Sequence, residues 1–207
     1  MLHTRWIPTL GSLLLFWLST TSLQAQSKDD HLEPADWHYT TVEQLQKTAA
    51  LAQVVVLTSF KSSYVLSIEQ DKQRYYLTYA EMRRGTAPAA GFRRDSLVAS
   101  SARKLAITTE LARTLTNLWH AAIQQTRYPE PLMRIRTDGT RFVFSSFRPG
   151  MGLRAGTTWE PAAGTHMSSL AGIVTELHQL ATAGAYSEQQ QNLLEDARIL
   201  LKALQPN

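Results

Sequence analysis

The sequence predicts an α+β fold in which an antiparallel sheet, built from two hairpins, carries helices packed on one face. Three observations carry that reading. Apolar residues repeat at helical spacing in four stretches, beginning near Thr40, Thr108, Thr165 and Ser187. β-Branched and aromatic residues crowd the interval 54–79. Two short polar turns, at Asp71 with Lys72 and at Asp138 with Gly139, separate runs that alternate apolar and polar.

In chain order, the first element is a leader. Residues 1–25 hold a single charge, Arg5, then a dense apolar block at 13–18, then small and polar residues ending at Ala25. A block this short falls below the roughly 20 apolar residues of a membrane span and reads as a secretion signal. Cleavage is expected between Ala25 and Gln26, with Leu23 where a small residue is preferred; uncut, residues 7–23 would act as a single anchor. The expected location is therefore periplasmic or secreted, with no membrane span after cleavage. The chain has no cysteine, so neither a disulfide nor a lipid-bearing N-terminal cysteine is available, and the core alone must hold the fold.

The chain beyond the leader is the size of one domain, long enough to bury on the order of 70% of its unfolded surface. Lysine and arginine number 21 against 17 acidic residues, a formal charge of +4. That excess is too mild for a nucleic-acid binder, which needs a concentrated basic stripe or a known module. No nucleic acid, cofactor or metal is expected.

Residues 26–38 are polar, carry Pro34, and read as a flexible lead-in to a domain covering 39–207. Thr40 and Glu43 have capping-box spacing, and Val42, Leu45, Ala49 and Ala52 line one face, so a helix is expected to about Gln53. A two-residue turn at Asp71 and Lys72 then sets Tyr64 opposite Tyr79, Leu66 opposite Leu77 and Ile68 opposite Tyr75, with Glu69 facing Arg74. Residues 85–94 read as a Gly-, Ala- and Pro-rich loop, and one or two short strands are expected between Ser96 and Ile107. A helix from Thr108 or Thr109 stripes Leu111, Leu115, Leu118, Trp119 and Ala122. The second hairpin pairs 132–136 with 141–147, and 148–164 reads as a long loop with four glycines and two prolines. A helix over 165–183 buries Met167, Leu170, Ala171, Val174 and Leu177 and stops at Gly184. The last helix, capped by Ser187 with Gln190, buries Leu193, Leu194, Ala197, Leu200, Leu201 and Leu204.

The candidate chemistry lies in the second hairpin. A two-residue turn puts Arg136 opposite Arg141, with Arg134 on the same face, and Arg148 and Arg154 come next in the loop. Crowded guanidiniums are relieved by a carboxylate, a phosphate or plain solvent. One reading is therefore an anion-binding face made of Arg134, Arg136, Arg141, Arg148 and Arg154 with Trp159 as a stacking surface; the other is a solvated outer face with Trp159 as an anchor. Backbone N–H groups at the helix start near Thr165 offer further anion capacity. The glycines at 150, 152 and 156 miss the dinucleotide fingerprint, and no P-loop triplet exists. His166 and His178 are 12 residues apart on one helix, about 120° apart around its axis at 3.6 residues per turn, and cannot share an ion. His120 beside Trp119 reads as a helix-surface or partly packed histidine, and no serine sits in a nucleophile turn.

The segments Phe-Ser-Ser-Phe-Arg-Pro-Gly from Phe144 and Thr-Trp-Glu-Pro from Thr158, with Gly-Thr before a helix, resemble small exported proteins of unassigned function from Bacteroidetes-type bacteria. The resemblance implies an envelope location and no activity. The expectation is an exported, non-catalytic domain binding an anionic ligand or a protein partner. Alternatives are an envelope hydrolase with His166 as base near Glu160, and a structural or assembly role.

Overall fold

The computed structural model describes residues 30–35, 50–84, 97–99, 102–128, 138–184 and 187–205. The leader, its cut site, the 85–94 loop, Arg134 and Arg136 lie outside them. Among the described residues, eight strands form one antiparallel sheet: β1 (Glu33–Pro34), β2 (Ala50–Thr58), β3 (Ser63–Asp71), β4 (Arg74–Arg84), β5 (Leu97–Ala99), β6 (Arg103–Ile107), β7 (Thr140–Arg148) and β8 (Gly152–Trp159). Three helices among the same residues accompany it: α1 (Thr109–Gln124), α2 (His166–Ala183) and α3 (Ser187–Leu204). The order across the sheet is β1, β8, β7, β2, β3, β4, with β5 and β6 both pairing with β4. The α+β class with an antiparallel sheet is as the sequence predicts.

Strand alternation assigns the two faces. Ala52, Val54, Val56, Leu66, Ile68, Leu77, Phe142 and Phe144 point to the helices and join one core with the buried stripes of all three. Trp119 is the hub of that core: its ring meets Phe144 edge-on at 5.3 Å, and its Nε1 donates to the Gln53 carbonyl at 3.2 Å. On the other face Val55, Val65, Met82 and Val143 form a smaller cluster. α1 and α2 lie against the strands, while α3 packs mainly on α1 and α2.

The helices begin where the sequence says. Thr108 and Thr165 cap α1 and α2 by accepting from the backbone N–H three residues on, and Gly184 closes α2 at φ 99°. Gln190 does not serve its own helix: its Oε1 accepts from Thr108 N at 3.3 Å, which ties α3 to the start of α1.

Four expectations are corrected. Residues 50–53, expected to end a helix, are strand in β2, because Ala52 and Gln53 find backbone partners in both β3 and β7; residues 40–49 lie outside the described set. The first hairpin turns at Lys72 and Gln73, one residue later than expected, so Leu66 faces Tyr79 and Ile68 faces Leu77. Glu69 consequently lies opposite Tyr76 and pairs with Lys104 at 3.0 Å. The slip preserves the buried face, since it moves the partner by two positions. Nor is the lead-in loose over 30–35: Leu32 is fully buried and β1 pairs with β8.

The fourth correction reshapes the candidate site. Residues 148–164 are not a long loop, for β7 turns at 149–151 straight into β8. β7 is flanked by β2 and β8, so Arg141 lies between Leu57 and Trp159; Arg136, its expected partner, lies outside the described residues. Gly139 instead meets Ser59 at the end of β2, with Ser59 N donating to its carbonyl at 3.2 Å.

Candidate functional site

The β7–β8 hairpin separates the predicted arginines by alternation. Arg141 and Trp159 face away from the helices. Arg141 Nε donates to Thr157 Oγ1 at 3.0 Å, and Trp159 Nε1 donates to the Asp138 carbonyl at 3.1 Å, which is the anchoring role. Arg148 and Arg154 share the helix side, since Arg148 succeeds Phe142, Phe144 and Ser146 by even steps and Arg154 pairs with Ser146. Those two line a small cavity of about 20 Å³ together with His120, Ser146 and Met151, room for about one water molecule.

Beside it opens a cleft of about 720 Å³. One wall is the polar stripe of α1, where Asn117, His120, Ala121 and Gln124 recur at helical spacing. Arg127 beyond the end of α1, Arg148 of β7, His166 at the start of α2 and the last turn of α3 complete it. The lining holds two guanidiniums, two imidazoles and several amides, and no carboxylate among the described residues. The carbonyl ends of α1 and α3 reach the same cleft and lower its positive potential. An anion there depends on Arg127 and Arg148.

His120 and Arg148 are coupled directly. Arg148 Nε donates to His120 Nδ1 at 3.0 Å. A guanidinium only donates, so this nitrogen accepts and the ring carries its proton on Nε2, which is buried with no hydrogen-bond partner among the described residues. Burial first, and the Arg148 charge second, push the His120 imidazole below its ordinary range. It stands as a neutral donor beside a fixed cation.

Across the cleft, Asp30 meets His166. Its Oδ2 lies 2.7 Å from His166 Nδ1 while Oδ1 accepts from Met167 N at 3.1 Å. The N-terminus of α2, which the sequence offered to an external anion, is therefore occupied by the chain's own carboxylate. The carboxylate beside His166 is Asp30 and not Glu160, whose Oε1 instead accepts from Thr140 N at 3.2 Å. Among the described residues, no hydroxyl is hydrogen-bonded to His166. No group of three or more metal-ligating side chains occurs among them either.

Sequence reasoning missed Asp30 and Arg127, and it read His120 as a surface or partly packed residue, as its half-burial bears out, without placing it in a site. Asp30 had no local signal, because its partners are more than 130 residues away. The α1 stripe was legible in principle: Asn117, His120 and Gln124 interrupt a helix whose opposite face is apolar. Compared with known proteins, the chain matches no family model, no curated protein and no solved structure.

Proposed function

We propose that the chain is an exported, non-catalytic binding domain that takes a carboxylate- or phosphate-bearing ligand in the cleft between α1, β7 and the start of α2. The observation that carries the reading is that Arg127 and Arg148 both line a cleft that has no lining carboxylate among the described residues, beside the neutral Nε2–H of His120. Charge-assisted hydrogen bonds from guanidinium to such an anion are about twice as strong as neutral ones. Arg154 lines the small cavity beside the cleft from β8, whereas Arg141 and Trp159 lie on the other face and play no part.

Export rests on the leader. Cleavage after Ala25 keeps Asp30 and Leu32, both of which the fold uses. Intact-mass measurement of the exported protein is expected to show a start at Gln26; a full-length mass would make the leader an anchor. For the cleft, calorimetric titration with inorganic phosphate and with a panel of di- and tricarboxylates is expected to find a binder. Arg148→Ala and Arg127→Ala should each weaken it by about tenfold or more, and Arg141→Ala should leave it unchanged. Equal affinity in all three variants would remove the cleft from the reading.

A second reading is favoured by Asp30 and His166. A carboxylate that holds one imidazole nitrogen orients the other as a general base, and with no hydroxyl bonded to His166 the nucleophile would be water. Hydrolysis of activated phosphate or carboxylate esters that is abolished in His166→Gln would support it. Turnover equal in wild type and variant would end it.

A further inference from the structure

The last β2–β7 pair joins Ala52 to Ser146, and beyond it the β7–β8 hairpin continues as a two-stranded tip over residues 147–153 with no further strand partner among the described residues. Its apolar side chains are turned to solvent: Phe147 is 49% exposed, Met151 45% and Leu153 37%. Phe147 and Leu153 are register partners on the face away from the helices, and Met151 sits in the turn between them. The turn is held by Met151 N donating to the Arg148 carbonyl at 3.1 Å and by Gly150 and Gly152 at φ 81° and 73°. Arg148 and Arg154 project from the opposite face, and no acidic residue occurs between Thr140 and Trp159. Large apolar groups at the apex of a hairpin whose own charged residues are all arginines are unlike an ordinary solvated turn.

We propose that this tip docks on an anionic membrane surface, with Phe147, Met151 and Leu153 entering the headgroup region and Arg148 and Arg154 meeting lipid phosphates. Size decides between a bilayer and a protein as occupant. A stable protein interface engages roughly 20–30 residues a side, far more than a seven-residue tip presents. Interfacial binding needs only a few apolar side chains set about 5–10 Å deep, helped by cations against a negative surface. Spanning helices are not involved, for no described helix is long and apolar enough to cross a membrane. The apolar half of the surface is separate from the cleft, which none of Phe147, Met151 and Leu153 lines, although Met151 borders the small cavity beside it.

The test is flotation of the exported protein with vesicles of phosphatidylcholine alone and of phosphatidylcholine mixed with phosphatidylglycerol. Wild type is expected to partition onto the mixed vesicles and to be released as salt is raised to about 0.5 M. The double variant Phe147→Thr, Leu153→Thr changes only exposed strand positions, and its fold is to be checked by circular dichroism; its partition should fall by about tenfold. Arg154→Glu should weaken binding to the anionic vesicles. Absence of wild-type binding, equal partition of the double variant, or capture by an acidic protein without vesicle binding would overturn the proposal. Calorimetry on the cleft is read independently, so failure of either result leaves the other standing.

Discussion

At the scale of single residues, the chemistry of the cleft is set by one hydrogen bond between Arg148 and His120. A cation beside an imidazole penalises its protonated form, and burial adds to the penalty. Removing the guanidinium in Arg148→Ala should therefore raise the His120 pKa toward its ordinary value, as two-dimensional NMR of the ring protons would show; an unmoved titration would mean that burial acts alone. Gly156 illustrates a steric constraint. A Cβ there would lie 2.8 Å from Thr126 Oγ1 and 2.9 Å from Leu32 Cβ, so the missing side chain is what lets Leu32 and the end of α1 close on β8. Gly156→Val is expected to cost about 1–3 kcal/mol, measured by urea denaturation. The sequence flagged this glycine only as part of a loop, because the atoms that crowd it come from residues far away along the chain.

At the scale of elements, helices were the most legible. α1 and α2 start at their predicted threonine caps, and the stripes on all three helices are buried as written, apart from the half-buried Ala171 and Leu201. A cap and a 3.6-residue period are local properties, so they survive without knowledge of neighbours. Thr108→Ala should lower stability by about 1 kcal/mol. Strand pairing was less legible. The Asp-Gly signal near 138 implied a hairpin with 132–136, which lie outside the described residues, and β7 takes β2 and β8 as partners, since nothing in a strand's own sequence names the strand beside it. The cap on α2 is part local and part distant. Thr165 could be read, but Asp30 could not, although it bonds both His166 and Met167. Asp30→Ala should cost about 1–3 kcal/mol, because it leaves a helix N–H without its acceptor; differential scanning calorimetry checks this against Asp30→Asn, which keeps one oxygen acceptor and should lose less.

At the scale of the whole molecule, stability depends on pH through two histidines. His178 is enclosed by Tyr64 and Tyr79, with ring centroids 4.3 and 5.2 Å away, and burial holds its pKa below 6.5. His120 is shifted in the same direction. In both cases the unfolded chain takes up a proton more readily than the folded one. Their stabilising contribution is thus complete well above pH 6.5 and is lost as pH falls from there through the folded values. Denaturation midpoints should drop between about pH 7.5 and about pH 5, and replacing both histidines by glutamine should flatten that slope. At the alkaline end Tyr64, pushed up to about 12 by burial and by Tyr79, has the opposite sign: the fold loses stability as pH rises from about 10 toward 12.

By itself the sequence determined the α+β class, the three helices and their buried faces, and the faces of the first hairpin, because each stems from the period of the chain and its caps. It also supplied the basic residues from which the candidate site is drawn. Only the tertiary structure decided which of them meet. Strand order turned Arg141 and Trp159 away from the helices and left Arg148 beside His120, and it brought Asp30 to His166 at the start of α2. The physical reason is that a site is a set of long-range coincidences, fixed by which strand lies next to which and by how helices cover the sheet, and neither is encoded in the spacing of the residues that form it.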